Sequence, residues 1–243
     1  MNILLTNDDG VRSEGLQKLA LVLRSQLKHR VFVIAPDGNR SGISHAVSLL
    51  SGPVKLSKLD EDTWSCSGYP ADCIIVALMG EIPEKPDLVL SGINQGENVG
   101  PDIIYSGTAA AARQASLNGV PAIALSLAGK DGYCWDMAVS WSADHLEELA
   151  ALWKENTFVN VNIPNCPEGP KGMVFTRPAL KHYRDGMKVV TSLDNSRWCF
   201  LTGGDEVIIE EEGTDCDAVA RDFVSVSSMY NYPIGKIDLM EKD

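Results

Sequence analysis

Two adjacent carboxylates close the first apolar run of this chain: "NILLTNDDG" sets Asp8 and Asp9 directly after a stretch of strand length. Such a pair has two readings. As an Asx-type turn it ends the strand, with Gly10 supplying a permissive backbone. As a metal grip it sets two anionic oxygens side by side, which is costly unless a cation or a proton lies between them. Neighbouring segments favour the second reading. "APDGNRSGISH" supplies Asn39, Arg40, Ser41 and His45, and "SGINQGENVGPDIIYSGT" supplies Asn94, Ser106, Gly107 and Thr108. Asp8, Asp9, Ser41 and Asn94 make an all-oxygen donor set, suited to Mg²⁺, Mn²⁺ or Ca²⁺ and poorly suited to zinc.

The second of those segments fits neither the GxxxxGK[ST] nor the GxGxxG spacing, so Gly92, Gly96 and Gly100 alone read as loop formers. Its last four residues point to an anion. "YSGT" opens an alanine-rich helix, where Ser106, Gly107 and Thr108 offer hydroxyls and free backbone N–H groups suited to phosphate. Arg40 is either a surface residue or a clamp on developing negative charge. His45 is either structural or a proton carrier, with no HxxxH partner in the chain.

Elements that would position these residues alternate along the chain. "NILLT" and "RVFVIA" read as strands, joined by a helix with Leu16, Leu19, Ala20, Leu23 and Leu27 on one face and Ser13 as its N-cap. Helices over "PADCIIVALMG", "GTAAAARQASLNG" and "WDMAVSWSADHLEELAALWK" alternate with buried strands "DLVLSG", "PAIALSL" and "FVNVNIP". That order predicts a doubly wound, mostly parallel α/β sheet, with ligands at the carboxyl ends of its strands. Residues 173–212 read differently: "MVFTRP", "GMKVVTSL", "RWCFLTG" and "EVIIEEE" are short strands with no helix between them, an antiparallel extension whose edges invite another copy of the chain. The Glu210–Glu212 run reads as a solvated strand end. A short helix capped by Thr214 or Asp215 and a strand over Phe223–Ser228 lead to the C-terminal tail. The expected division is a catalytic core over 1–172, the hairpin extension over 173–212, and a last segment over 213–243 packing on the core or a partner subunit.

Composition narrows the function. Among 243 residues, 33 acids against 21 bases give a net charge of −12, which disfavours nucleic-acid polymers along the surface but not a small phosphorylated ligand in a concave site. No apolar run has membrane-spanning length and no signal peptide opens the chain, so a cytoplasmic protein is expected. The six cysteines show no CxxC pair and read as mostly buried thiols.

Taken together, "NILLTNDDG", "APDGNRSGISH", "GYPADCI", "PDLVLSGINQGENVG", "IYSGTAAAA" and "TDCDAVARDFVSVS" resemble, in order, the motifs of the SurE survival-protein family of metal-dependent nucleotidases. The resemblance implies a Rossmann-like core and a homodimer or homotetramer formed by exchange of C-terminal hairpins. It implies one divalent cation held by Asp8, Asp9, Ser41 and Asn94, and hydrolysis of nucleoside 5'- and 3'-monophosphates. In that reading Asp8 and Asp9 are catalytic, while Asn39, Asn94, Ser106, Gly107 and Thr108 hold substrate. The chain departs from the family at Arg113, Gln114 and Ala115, where a glutamate and glycine are usual, and at Tyr69, where threonine is commoner. Three rivals are a nucleotide-sensing module that does not hydrolyse, a glycosyltransferase using the acidic pair, and a scaffolding role through the C-terminal hairpins, which leaves the clustering of Asp8, Asp9, Ser41 and Asn94 unexplained; phosphate release separates the first from the enzyme reading.

Overall fold

A computed structural model describes residues 1–27, 29–204, 206–208 and 211–233. The first crossover is as expected: β1 (Asn2–Thr6), α1 (Glu14–Ser25) and β2 (Arg30–Pro36), with the strands paired in parallel. Next come β3 (Leu56–Asp60), β4 (Thr63–Cys66), α2 (Pro70–Val76), β5 (Leu88–Gln95), α3 (Asp102–Tyr105), α4 (Gly107–Leu117) and β6 (Ala122–Ala128). They are followed by α5 (Trp135–Asp144), α6 (Leu146–Ala151) and β7 (Thr157–Pro164). The C-terminal part holds β8 (Met173–Phe175), β9 (Lys181–Tyr183), β10 (Gly186–Thr191), β11 (Arg197–Thr202), β12 (Glu206–Ile208), α7 (Asp215–Ala220) and β13 (Val224–Tyr230).

Nine strands form the main sheet in the order β3-β4-β2-β1-β5-β6-β7-β13-β8. Its parallel strands run β4-β2-β1-β5-β6-β7, so the chain winds outward from β1 to one edge and returns to β5 on the other side. The carboxyl ends of β1 and β5 therefore flank the point where strand order reverses, the usual place for a ligand in such a sheet.

Alternation along β1 feeds two cores. Ile3 and Leu5 join Leu16, Leu19 and Leu23 of α1 and Val139 of α5 on one face. Leu4 joins Phe32, Ile74 of α2 and Ala109, Ala112 and Ala115 of α4 on the other. Helix α4 is buried almost all round, which explains its alanines: a small side chain lets a helix lie close on a sheet.

Local differences from the sequence reading have physical causes. Helix α1 ends at Ser25, leaving Leu27 beyond it and exposed. Ser13 occupies the N-cap position, but its hydroxyl accepts from Asn7 Nδ2 at 2.6 Å instead of capping. The predicted helix over 70–80 is α2 followed by a π-helical turn, Ala77–Glu81, with Gly80 at φ 116°. The helix expected over 135–154 breaks at His145 into α5 and α6. Strands β3 and β4 are additions that short, half-polar sequences hide. "MVF" at 173–175 pairs in parallel with β13 at the edge of the main sheet, apart from the hairpins, and β13 runs antiparallel to β7. Thr214 is the cap of α7, accepting from Asp217 N–H at 3.3 Å. Of the cysteines only Cys66, Cys73 and Cys216 are buried; Cys134 and Cys166 are intermediate and Cys199 is exposed. Ile209 and Glu210, within the predicted strand 206–212 and acidic run, and the tail at 234–243 lie outside the described residues.

A buried amide network fixes the loop after β5. Asn98 donates its N–H to Asn162 Oδ1 at 2.7 Å and its Nδ2 to Ser126 Oγ at 2.8 Å, and its carbonyl accepts from Asn160 and Asn162 at 3.0 Å each. Replacing Asn162 leaves the buried Asn98 N–H unpaired, so Asn162→Ala is expected to cost about 1–3 kcal/mol, read as a lower urea midpoint at unchanged slope.

Candidate functional site

Loops one and two meet at Asp8. Asn7 organises the first: its Nδ2 donates to the Gly10 carbonyl and its Oδ1 accepts the Gly10 N–H, both at 3.1 Å. Gly10 lies at φ 104°, and a Cβ there would sit 3.0 Å from the Gly38 backbone, so a glycine lets the loops touch. The Arg40 N–H then donates to the Asp8 carbonyl at 2.7 Å, and Val11 N–H to the Pro36 carbonyl at 2.8 Å. Ser41 comes directly after that contact and is exposed, its N–H held by Asn39 Oδ1 at 2.8 Å. The Arg40 guanidinium pairs with Asp37 at 2.7 Å.

The two carboxylates have different surroundings. Asp8 is 3% exposed; burial pushes its carboxyl up, and the Thr108 hydroxyl, donating to Oδ1 at 2.5 Å, and the N–H groups of Thr108 and Gly107 counter this. Asp9 is less buried and accepts the Gln95 N–H at 3.1 Å. Desolvation first and the neighbouring Asp8 charge second push it up to about 6. A raised value on an acid pair at a strand end marks a place where a cation would relieve the repulsion.

The α4 start reaches Asp8 because residue 107 has no side chain: a Cβ there would lie 2.8 Å from Asp8 Cβ and 2.9 Å from its Oδ2. Ser106 is the N-cap, its Oγ accepting from Ala109 N–H at 3.0 Å. Ahead of it, the Ile104 and Tyr105 carbonyls accept from Ser44 Oγ at 2.7 Å and Ser44 N–H at 2.8 Å, which ties loop two to α3. His45 faces Gln114 Oε1 at 2.9 Å, and burial lowers its pKa. The strand β5 ends in an irregularity between Ser91 and Asn94 in its pairing with β6, a device that re-aims strand-end side chains. Asn94 commits Nδ2 to the Gly96 carbonyl at 2.8 Å, so its Oδ1 is the atom left for a cation. Asp8, Asp9, Ser41 and Asn94 present oxygens only, and that chemistry fits a hard divalent ion. A cavity of about 350 Å³ bounded by Ala77, Gly80, Ile82, Lys85 and Asn118 lies at the other end of the sheet and includes none of these loops.

Known proteins resemble this chain over most of its length. A family model described as "Survival protein SurE" matches residues 3–185. The chain belongs to the SurE family. Proteins named 5'-nucleotidase SurE are among its SurE relatives: that of Geobacter sulfurreducens is 40% identical over 235 residues, covering 95% of this chain and 88% of the relative. That of Pelobacter propionicus is 36% identical over 233 residues, covering 95% of this chain and 93% of the relative. The crystal structure of a SurE protein from Aquifex aeolicus superposes with a TM-score of 0.83 at 33% identity, covering the whole of both chains.

Sequence reasoning missed the supporting residues of this SurE chain. Asn7 and Asn98 carry the loops, and Tyr133, whose hydroxyl donates to the Gly129 carbonyl at 2.6 Å, stands on the loop after β6. Asn7 was legible only as a turn former; Tyr133 carries no signal of its own.

Two outcomes are expected. Gly107→Ala drives a methyl against Asp8, so thermal stability and Mn²⁺ affinity both fall, the latter measured by calorimetry. In metal-free protein the Asp9 carboxyl sits at about 6 when folded against an ordinary 3.8, so the fold favours its protonated form. That contribution is full below the unfolded value and is lost as pH rises through about 6. Asp9→Asn, neutral at every pH, should raise the Tm of EDTA-treated protein above pH ~6 and leave it unchanged near pH ~4; a lower Tm for the variant at high pH contradicts this account.

Proposed function

We propose that the chain is a divalent-metal-dependent phosphomonoesterase that hydrolyses nucleoside 5'- and 3'-monophosphates to nucleoside and phosphate. One observation carries the reading: a raised acid pair, an all-oxygen donor set and a helix N-terminus meet at the switch point of a SurE sheet. Asp8, Asp9, Ser41 and Asn94 would hold one Mg²⁺ or Mn²⁺ ion. When bound, that ion supplies Lewis-acid charge to the phosphoryl oxygens and acidifies a water.

The rest falls to the protein. Asn39, Asn94 and the Ser106 hydroxyl bind and orient the phosphoryl oxygens, where donors aimed at developing charge stabilise the transition state, while Gly107 and Thr108, which serve Asp8 directly, set the positive end of α4 against the same phosphate. The Thr108 hydroxyl donates to Asp8 and offsets part of the upward push of burial on its carboxyl. Asp9, the more open carboxylate, takes the proton of the attacking water; His45 is less suited, because Gln114 engages its Nε2. Arg40, held by Asp37, stands at the lip of the site.

Support for a homodimer or homotetramer comes from the β10–β11 ribbon. It is exposed throughout, with Met187, Trp198, Phe200 and Leu201 at 65%, 62%, 52% and 73%, an apolar edge that a second copy of the chain would cover. Among the described residues no helix is long and apolar enough to cross a membrane, and a cytoplasmic location suits six free thiols.

Phosphate release from a panel of nucleoside 5'- and 3'-monophosphates, with EDTA-treated protein and added Mg²⁺ or Mn²⁺, tests the reading. Metal-dependent release is expected, reduced on the order of 10²-fold or more by Asp8→Asn. No release by folded, metal-loaded protein would leave a nucleotide sensor instead.

A further inference from the structure

Asp102 opens α3, and both its carboxylate oxygens are held by one strand of the C-terminal segment. Lys181 of β9 has a side chain 2% exposed and places Nζ 3.0 Å from Asp102 Oδ2. Tyr183, two residues along and so on the same side of the strand, donates its hydroxyl to Asp102 Oδ1. Lys181 Nζ also lies 4.8 Å from the centroid of the Tyr183 ring. Burial and then the Asp102 carboxylate push the Tyr183 phenol up to about 12, so it stays a donor at neutral pH. Just upstream of Asp102 and of Lys181, Gly100 and Ala179 donate their N–H groups to Asp215 of α7 at 2.8 Å each. A Cβ on Gly100 would meet the Ala179 carbonyl at 2.6 Å, so the two backbones run in contact.

These ties end at the site. The Asp102 carbonyl accepts the Ser106 N–H at 3.0 Å, and Ser106 caps the helix whose first turn holds Asp8. The carbonyls of Ile104 and Tyr105 hold Ser44, and with it the loop of Asn39, Arg40 and Ser41. The Lys181 end of this ion pair is buried and the Asp102 side chain is 19% exposed, so desolvation offsets part of the attraction and the net stability gained is small; what such a pair does well is fix one arrangement over others.

We infer that the Lys181–Asp102–Tyr183 cluster is a positioning device for the reaction, through which β9, at the foot of the exposed ribbon, seats α3 and hence the α4 start and the Ser44 loop. These are positioning residues, and the inference rests on the phosphatase reading above. Its rival is a plain strut that joins β9 to the core.

The experiment compares Lys181→Met, Lys181→Arg, Asp102→Asn and Tyr183→Phe in the full chain. Phosphate release, Mn²⁺ affinity by calorimetry, Tm and amide exchange are read on each. Lys181→Met and Asp102→Asn should each raise KM for a nucleoside 5'-monophosphate roughly tenfold and weaken Mn²⁺ binding, with kcat at saturation within about twofold. Lys181→Arg should recover most of the loss. Tyr183→Phe, which keeps the ring and endangers the fold least, should raise KM about threefold, and exchange should quicken over 102–108 and not in α1. Because the residues act as one unit, the Lys181→Met and Asp102→Asn double variant should be no worse than either single. A lowered Tm with KM, Mn²⁺ affinity and local exchange unchanged in Asp102→Asn and Tyr183→Phe makes the cluster a strut and overturns the inference. If the unaltered protein releases no phosphate, the phosphatase reading fails separately. Mn²⁺ affinity and exchange then decide: unchanged values in the variants overturn the inference, and weaker binding with faster exchange over 102–108 upholds it.

Discussion

Burial of the Asp8 carboxylate between the end of β1 and the first turn of α4 is costly, and the way that cost is partly offset accounts for much of the surrounding sequence. A carboxylate 3% exposed stays charged only if donors replace the water it has lost. They come from the Thr108 hydroxyl and the backbone of a helix start, and such donors reach it only if the helix comes very close. Hence residue 107 lacks a Cβ, and hence α4 is alanine-rich: its axis must lie low over β5 and β6 along its length. The close approach at one carboxyl and the packing of α4 on the sheet thus place the same demand for small side chains on an eleven-residue helix.

Asp9 is the counterpart, one residue away and in a different medium. It has a single backbone donor from Gln95 and feels the charge of Asp8, so folding the metal-free chain leaves a stress that a divalent ion bound there would relieve. Stability and function conflict here in a defined way. A fold optimised without a ligand would neutralise one acid, whereas keeping both suits the strand end to the small hard cation of the proposed reaction. The loops answer the same demand: Asn7, Gly10 and the Arg40 N–H hold the pair in place without adding positive charge between its oxygens.

The alternation of strands and helices was legible because buried parallel strands read as apolar runs bounded by Gly, Pro and Asp, as "DLVLSG" and "PAIALSL" do. The candidate site was legible for a related reason: its oxygens sit in short segments directly after those strands, where topology forces them to one edge. Other features depend on partners distant in sequence. Met173–Phe175 looks like any hairpin strand until Val224–Val226 lies beside it. Strand β3 has five residues and β4 four, both short and half polar, with too few alternations to be seen. The break at His145 sits inside a strong helical pattern. Asn98, Asn160 and Asn162 read as loop and strand polar residues, and only the folded chain shows them meeting in one buried network.

The C-terminal segment joins two roles that sequence order keeps apart. Residues 179–183 and Asp215 grip the stretch from Gly100 to Asp102, and the same chain then runs out into a ribbon whose apolar side chains face solvent. In an isolated chain a ribbon of this kind gains nothing from its own exposure, and among the described residues its two strands pair with each other alone. Whatever restrains the ribbon also restrains β9, because only Arg184 and Asp185 separate Tyr183 from β10. That restraint passes through an ion pair whose lysine end is buried, which favours one geometry and loses value when displaced, so the link is stiffer than a stretch of apolar contacts. A site on strand ends is precise only when the loops around it are held from outside the sheet, and here the hold on α3 comes from the last third of the chain.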